Sequence, residues 1–208
     1  MKPIYLFSLT KHDGVTHINS LHVEYFTPEI DFKKYDYLII TSKQVFQALQ
    51  SYGDLWKSKE VLTVGEPTAQ ALKSAGGRLL EYGFGYGEDL TKIIKSYPKE
   101  TKWLYLRAKE VASDFAAICQ DEGYSLDEVV LYETTCSAEL LHIKVEDDAT
   151  LIFTSPSSVR CFLQHHDLQP THNIIVIGTT TAKAIPLYIK YKIADKPTLQ
   201  SCIQKAKE

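Results

Sequence analysis

Small hydroxyl-bearing residues and glycines concentrate in four short segments, and the segments recur at a fixed separation. The residues concerned are Thr41, Ser42, Gly65, Thr68, Thr154, Ser155, Ser157, Ser158, Gly178, Thr179, Thr180 and Thr181. Three equivalent pairs are each 113 positions apart, namely Ser42 and Ser155, Gly65 and Gly178, and Thr68 and Thr181. A single insertion between the members would destroy this agreement, so the pattern indicates an internal duplication.

The chemistry that these residues offer is hydrogen bonding to a polar ligand. Each segment follows an apolar run and opens a predicted helix, whose first backbone N–H groups have no partner within the helix. In an open α/β sheet such turns lie at the carboxyl ends of parallel strands, where ligands bind. Helix capping alone is the simpler interpretation of any one Ser or Thr. Capping needs only one residue per helix, however, so the complete set favours a ligand held by two facing loop clusters.

Short β-branched strands must position these segments. In the first copy, LIITS (38–42) and LTVGEPTAQAL (62–72) each read as a strand that turns into a helix. In the second copy, LIFTSPSSV (151–159) and IIVIGTTTAKAI (174–185) read in the same way. The second copy lacks an opening strand of its own, so we expect the amino-terminal run IYLFSL (4–9) to complete its sheet.

This arrangement predicts an α/β protein with two similar three-layer domains and mainly parallel sheets. One domain is discontinuous and consists of residues 1–22 and 134–208. The other is the insert at residues 33–131. Extended segments at about 23–32 and 129–135 form a two-stranded linker that joins them.

The composition is that of an ordinary soluble protein and excludes several functional classes. The 208 residues are 44% apolar and 24% charged, which is enough for two small cores. A net charge of −3 argues against nucleic-acid binding, which favours a basic face. No apolar run approaches the roughly 18 residues of a membrane span, and the amino terminus is too short for a signal-peptide core. We therefore expect a cytoplasmic protein without nucleic-acid or membrane partners.

The cysteines and histidines do not predict a metal or redox site. Cys119, Cys136, Cys161 and Cys202 match neither a zinc pattern nor a dithiol motif. We predict that all four are reduced, with three of them on apolar helix faces. The seven histidines are scattered along the chain, so no metal site is expected.

Over nearly its whole length the sequence resembles the uroporphyrinogen-III synthase family. The resemblance rests on an ordered set of segments, LIITS, VGEPTAQAL, LYLRAKEVASDF (104–115), VVLYET (129–134), LIFTSPSSV and VIGTTTAKAI. Each segment alone is a weak signal, whereas the ordered set with Tyr-x-Thr at 132–134 is more specific. The family has two α/β domains, one of them discontinuous, joined by a two-stranded ladder. That architecture agrees with the one inferred from the repeat.

The resemblance implies a cofactor-free lyase that acts on hydroxymethylbilane, a linear tetrapyrrole with carboxylate side chains. Loss of water from the ring A hydroxymethyl group gives an electrophilic azafulvene. Ring D attacks it through its substituted carbon, and the spiro intermediate reopens and recloses with ring D inverted, as uroporphyrinogen III. The resemblance further implies a monomer that makes at most transient contact with the preceding enzyme of the pathway.

The resemblance also assigns two residues outside the repeat. It places the functionally important tyrosine of the family at Tyr132, where the hydroxyl would assist departure of the ring A hydroxide. The Arg-Gly pair frequent in the family appears as Arg107-Ala108, which keeps the charge for substrate binding. The opening strand of the family commonly leads into an Arg-containing loop and a helix, whereas here Lys11 is the nearest cation and the segment after it is short and irregular.

Two other functions would use the same loops. A bilobed small-molecule binding protein would clamp a ligand without catalysis. A nucleotide-sugar transferase with two α/β domains would normally be longer and carry a convincing phosphate or metal motif. The segment GFGYG (83–87) lacks the spacing of the dinucleotide fingerprint and precedes the anionic Glu88 and Asp89, so we interpret it as a flexible connector.

Overall fold

A computed structural model describes residues 2–208 of the chain. The strands and helices follow one another as β1 (Ile4–Phe7), β2 (Thr16–Ile18), β3 (Leu21–Tyr25), β4 (Tyr37–Ile40), α1 (Gln44–Ala48), β5 (Glu60–Thr63), α2 (Glu66–Ser74), β6 (Arg78–Tyr82), α3 (Gly87–Lys95), β7 (Trp103–Ala108), α4 (Phe115–Asp121), β8 (Leu126–Cys136), β9 (Thr150–Phe153), α5 (Pro156–Leu163), β10 (Asn173–Val176), α6 (Thr179–Ala182), β11 (Tyr191–Ile193) and α7 (Leu199–Ala206). The protein is therefore a mixed α/β protein, as predicted. In the described range, none of the helices has both the length and the apolarity that crossing a bilayer requires.

The chain divides into two compact units. Unit 1 contains the residues up to His22 together with Thr135–Glu208, and unit 2 is Val23–Thr134. The chain enters unit 2 within β3 and leaves it within β8.

Unit 1 is built on a parallel sheet with the strand order β11-β10-β9-β1-β2. The amino-terminal strand β1 pairs with β9, with Ile4 opposite Thr150, which confirms that it completes this sheet. Strand β2 extends the sheet where the sequence predicted only an irregular piece. Helices α5 and α6 cover one face through residues such as Phe162, and α7 covers the other through Cys202, so the unit has three layers.

Unit 2 is built on a sheet with the order β3-β8-β7-β4-β5-β6, in which β4 to β8 pair in parallel. Leu38 and Leu72 belong to the core on the face covered by α1 and α2. Ile39 and Phe115 belong to the core on the opposite face, covered by α3 and α4. Because the central strands are buried on both faces, they appear in the sequence as continuous apolar runs.

The two sheets repeat one order of strands. Strands β4, β5 and β6 of unit 2 correspond to β9, β10 and β11 of unit 1, and β7 occupies the place that β1 takes in unit 1. The duplication in the sequence is therefore a duplication of a parallel αβ unit.

The prediction that all cysteines are reduced is wrong for one pair. Cys136, the last residue of β8, forms a disulfide with Cys161 on α5, and their Cα atoms are 5.2 Å apart. Cys119 and Cys202 are free and buried. Helix α4 begins at Phe115, so Val111 lies before the helix and is exposed.

Candidate functional site

The repeated segments lie side by side at the carboxyl ends of neighbouring strands. In unit 2, Ser42 comes shortly after β4 and Gly65 after β5, and these strands pair directly. In unit 1, Ser155 and Gly178 stand in the same relation to β9 and β10. Each unit thus contains one cluster of the predicted binding residues.

The two repeat glycines have the same backbone conformation. Gly65 precedes α2 with φ −175° and ψ 173°, and Gly178 precedes α6 with φ −175° and ψ 175°. This is extended backbone that any residue can adopt. A Cβ on Gly178 would have no heavy atom within 4 Å apart from its chain neighbours, and one on Gly65 would make ordinary contacts of 3.5–3.6 Å. The packing of the protein therefore does not require a glycine at either position. The space beside Gly178 is open, whereas the space beside Gly65 is already occupied by the backbone of Gly83 and Gly85.

The serines at the helix starts serve mainly their own helices. The Ser158 N–H donates to Ser155 Oγ at 3.1 Å, and the Ser155 N–H donates to Ser158 Oγ at 3.2 Å, which forms a reciprocal capping box at α5. Ser42 Oγ accepts from the Gln44 N–H at 3.2 Å. The capping interpretation thus accounts for the Ser155 side chain.

Four of the predicted threonines are two pairs of equivalent positions in the repeat, Thr41 with Thr154 and Thr68 with Thr181. Thr41 Oγ1 lies 2.8 Å from the Tyr105 hydroxyl, and Thr154 Oγ1 donates to the Phe7 carbonyl at 3.2 Å. Thr68 and Thr181 are only 6% and 2% exposed. Both residues are buried within their own units, and the contact of their hydroxyls with a ligand stays a prediction.

The remaining predicted residues of unit 1 are more accessible. Thr180 is exposed, and Ser157 is partly buried in the first turn of α5. The Arg160 guanidinium donates from Nη2 to Ser157 Oγ at 3.2 Å, which brings a positive charge to that turn.

Tyr132 is placed by an irregularity in the sheet. The register of β7 and β8 shifts between Arg107 and Ala108, so that Arg107 lies opposite Val130 and Ala108 opposite Tyr132. The consecutive residues Leu131 and Tyr132 consequently pack into the same core, although strict alternation would send them to opposite faces. Tyr132 is 5% exposed. Burial raises the pKa of its hydroxyl, and the Ser42 side chain opposes part of that shift.

Three residues around Tyr132 were not found from the sequence. The Tyr25 ring lies 6.3 Å from the Tyr132 ring, and its hydroxyl donates to Gln44 Oε1 at 2.6 Å. Burial raises the pKa of the Tyr105 hydroxyl, while its hydrogen bond with Thr41 acts in the opposite direction. For Tyr105, the only signal in the sequence was its position within the apolar strand that precedes Arg107.

Arg107 is held by its own unit. Its Nε lies 2.6 Å from Glu128 Oε2, and Nη1 donates to the Ala108 and Lys109 carbonyls at 2.9 Å each. The carboxylate balances the charge of Arg107, and the carbonyl contacts fix the turn after β7.

Other features of the described residues do not compete with these clusters. Within residues 2–208, no group of three or more His, Cys, Asp or Glu side chains could hold a metal ion. A groove of about 710 Å³ on unit 2 has Trp56 and Ala71 in its walls, but its lining contains none of the predicted site residues.

Comparisons with known proteins agree on one family. The family model described as uroporphyrinogen-III synthase HemD matches residues 16–204. The crystal structure of uroporphyrinogen-III synthetase from Helicobacter pylori is 25% identical, over 99% of this chain and 98% of that chain, with a TM-score of 0.79. A mutant uroporphyrinogen III synthase from Thermus thermophilus is 14% identical, over 100% and 98% of the chains, with a TM-score of 0.64. The wild-type enzyme from that organism is 16% identical, over 99% and 96%, with a TM-score of 0.51. At these identities the two Thermus structures support the fold alone. No curated protein sequence matches this chain.

Proposed function

Because the chain belongs to the uroporphyrinogen-III synthase family, we propose that it is a cofactor-free lyase that cyclises hydroxymethylbilane to uroporphyrinogen III. In this reaction the carbon–oxygen bond of the ring A hydroxymethyl group breaks, and the departing hydroxide takes up a proton to leave as water. The substituted carbon of ring D then forms a bond to the resulting azafulvene. The spiro intermediate opens and recloses with ring D inverted, and loss of a proton restores the pyrrole. No net oxidation or reduction occurs, so no redox group is needed.

The observation that carries this proposal is the matching extended backbone at Gly65 and Gly178. Both positions have the same extended conformation in two separate units, and the packing requires a glycine at neither. Small residues at a strand end allow a ligand to approach backbone N–H groups closely. A substrate with several carboxylates would use such donors, since a hydrogen bond to a charged acceptor is stronger than a neutral one.

The hydroxyl side chains of the repeat support the same interpretation because several of them are already used or buried within the protein. The Ser155 hydroxyl is used in the capping box, and the Thr68 and Thr181 hydroxyls are buried. Each cluster therefore binds carboxylates of the flexible tetrapyrrole chiefly through its backbone, with Ser42 as an accessory contact in unit 2 and Ser157 and Thr180 as accessory contacts in unit 1. Such a site accelerates the reaction by fixing a productive conformer rather than by supplying a strong acid or nucleophile.

Tyr132 is proposed as the hydrogen-bond donor to the leaving hydroxyl of ring A. Burial raises the pKa of Tyr132 above its ordinary value of 10.0, so the phenol stays protonated at neutral pH and can donate. An electron-rich pyrrole expels hydroxide with little help, and a neutral phenol is therefore sufficient. The Ser42 side chain, which favours the ionised form of Tyr132, would ease transfer of charge onto the phenol.

The chain is further proposed to act in the cytoplasm as a monomer that receives its substrate from the preceding enzyme of the pathway. Free hydroxymethylbilane closes spontaneously to the I isomer, so a short transfer between enzymes favours the III isomer. The family role in haem biosynthesis is the support for this location.

The decisive experiment is to incubate the purified protein with hydroxymethylbilane and to separate the I and III isomers after oxidation to the porphyrins. The protein should give the III isomer, whereas a heat-inactivated sample should give the I isomer alone. Binding of hydroxymethylbilane with formation of only the I isomer would support the binding-protein alternative and overturn the proposal.

A further inference from the structure

The segment GFGYG at residues 83–87, called here the aromatic turn, displays two aromatic side chains to solvent. Phe84 is 86% exposed and Tyr86 is 72% exposed. The chain has eight phenylalanines, all of them in the described range, and Phe84 is the only one that is exposed. Tyr82, two residues earlier, is also exposed. An alternating series of exposed aromatic residues is unlike the scattered single apolar residues of an ordinary surface.

The aromatic turn is fixed, which corrects the prediction of a flexible connector. The Gly83 N–H donates to the Thr63 carbonyl at 3.0 Å, and the Gly85 N–H donates to the Val64 carbonyl at 2.8 Å. The Phe84 N–H donates to Asp89 Oδ2 at 3.0 Å. Gly85 has a φ of +102°, a conformation that other residues adopt at a cost.

These contacts define what the turn can recognise. The three consecutive N–H groups of residues 83–85 all have partners within the protein, and one partner is a carboxylate. The turn is therefore not a cradle for an anion. What it presents is the faces of aromatic rings.

The turn lies beside Gly65, one of the two proposed carboxylate-binding positions. A Cβ on Gly65 would be 3.5 Å from the Cα of Gly85 and 3.6 Å from the Gly83 carbonyl oxygen. A ligand carboxylate that reaches the backbone at Gly65 therefore brings the ring that carries it close to the aromatic turn.

We infer that Phe84 packs against the face of a substrate pyrrole ring whose carboxylate is bound at Gly65, with Tyr86 at the rim of the contact. This inference rests on the proposed function. Aromatic rings associate in offset or edge-to-face geometry, and an aromatic face also attracts a cation. The contact therefore suits both the neutral pyrrole and the azafulvenium cation, which forms when hydroxide leaves and becomes the azafulvene when the pyrrole nitrogen loses its proton. Phe84 is a positioning residue for the substrate, and Asp89 positions Phe84.

The test compares Phe84→Ala, Phe84→Tyr and Leu55→Ala with the wild-type protein in hydroxymethylbilane cyclisation. Leu55 is a matched control because it is also exposed, lies in unit 2 and precedes β5 rather than following it. Phe84→Ala should raise KM about tenfold, or about 1.4 kcal/mol, with kcat and melting temperature nearly unchanged. Phe84→Tyr keeps the ring and should restore the wild-type KM, and Leu55→Ala should not alter it.

A double-mutant cycle separates positioning from general stability. Asp89→Ala should raise KM. Asp89→Asn should not, because the amide oxygen of asparagine still accepts from the Phe84 N–H. In the double variant, Asp89→Ala should raise KM little beyond the value for Phe84→Ala alone. A wild-type KM in Phe84→Ala overturns the inference. If that variant keeps the wild-type KM but sediments differently from the wild-type protein, the aromatic turn is instead a contact between protein molecules. If the wild-type protein itself makes no III isomer, the proposed function fails instead.

Discussion

Replacing Gly178 by alanine should weaken catalysis without weakening the fold. The backbone there is extended, and an added Cβ would have no heavy atom within 4 Å apart from its chain neighbours. Alanine also restricts the unfolded chain, so the free energy of unfolding should stay the same or rise by up to about 1 kcal/mol. A methyl group at this position would keep a substrate carboxylate away from the backbone. Losing one hydrogen bond to a charged group costs about 1.5–3 kcal/mol, which corresponds to a fall in kcat/KM of about 10- to 150-fold.

The assay measures initial rates of uroporphyrinogen III formation over a range of hydroxymethylbilane concentrations, alongside thermal unfolding of the same samples. Gly65→Ala is the equivalent change in unit 2, but its Cβ would contact Gly83 and Gly85 at 3.5–3.6 Å instead of entering open space. It should therefore lower kcat/KM less than Gly178→Ala. Leu55→Ala serves as the surface control. Wild-type kcat/KM in Gly178→Ala, at an unchanged melting temperature, would refute the argument that this backbone is open for the substrate.

Three further predictions concern the side chains. Ser155→Ala breaks the capping box and should lower the free energy of unfolding by about 1 kcal/mol with little loss of rate. Ser42→Ala removes only the acceptor of the Gln44 N–H, so it should cost less stability and lower kcat by up to about tenfold; equal effects in melting and rate assays would contradict this division. Tyr132→Phe should lower kcat by about 10- to 100-fold. Because burial raises the pKa of Tyr132, the ratio of wild-type to variant rates should be constant between about pH 7 and 9; a ratio that falls with pH in that range would show that Tyr132 ionises there. Thiol titration of the denatured, unreduced protein should detect only Cys119 and Cys202, and titration of all four cysteines would exclude the disulfide.

The parts of the fold that the sequence predicted well are those in which local pattern and tertiary environment coincide. Leu38–Ile40 and Leu151–Phe153 are completely buried, so burial on both faces gives an uninterrupted apolar run that is visible in the sequence. The pairing of β1 with β9 was predictable because the second copy of the repeat lacked a strand. The positions of Gly65 and Gly178 followed from the repeat itself.

The parts that were missed depend on contacts between distant residues. The bulge opposite Arg107 and Ala108 turns Tyr132 into the core with Leu131, and no local pattern records it. The Cys136–Cys161 disulfide requires the end of β8 to lie against α5, although 25 residues separate the cysteines in the chain. The aromatic turn looked flexible because its glycines were visible, whereas the Thr63 and Val64 carbonyls that hold it belong to another strand end.

The duplication also explains why one copy has chemistry that the other lacks. Ser158 completes the capping box with Ser155 in unit 1, but the equivalent position in unit 2, 113 residues earlier, is Val45. Ser42 consequently has no reciprocal hydroxyl partner at its helix. Its Oγ accepts from the Gln44 N–H, and its side chain also opposes part of the rise in the pKa of Tyr132. Unit 1 has a strongly capped helix at this turn, while unit 2 has a shorter helix without a side-chain cap and a buried tyrosine beside it. Both copies therefore share the extended backbone at the repeat glycine, and only unit 2 combines it with a serine side chain that affects the pKa of a buried tyrosine.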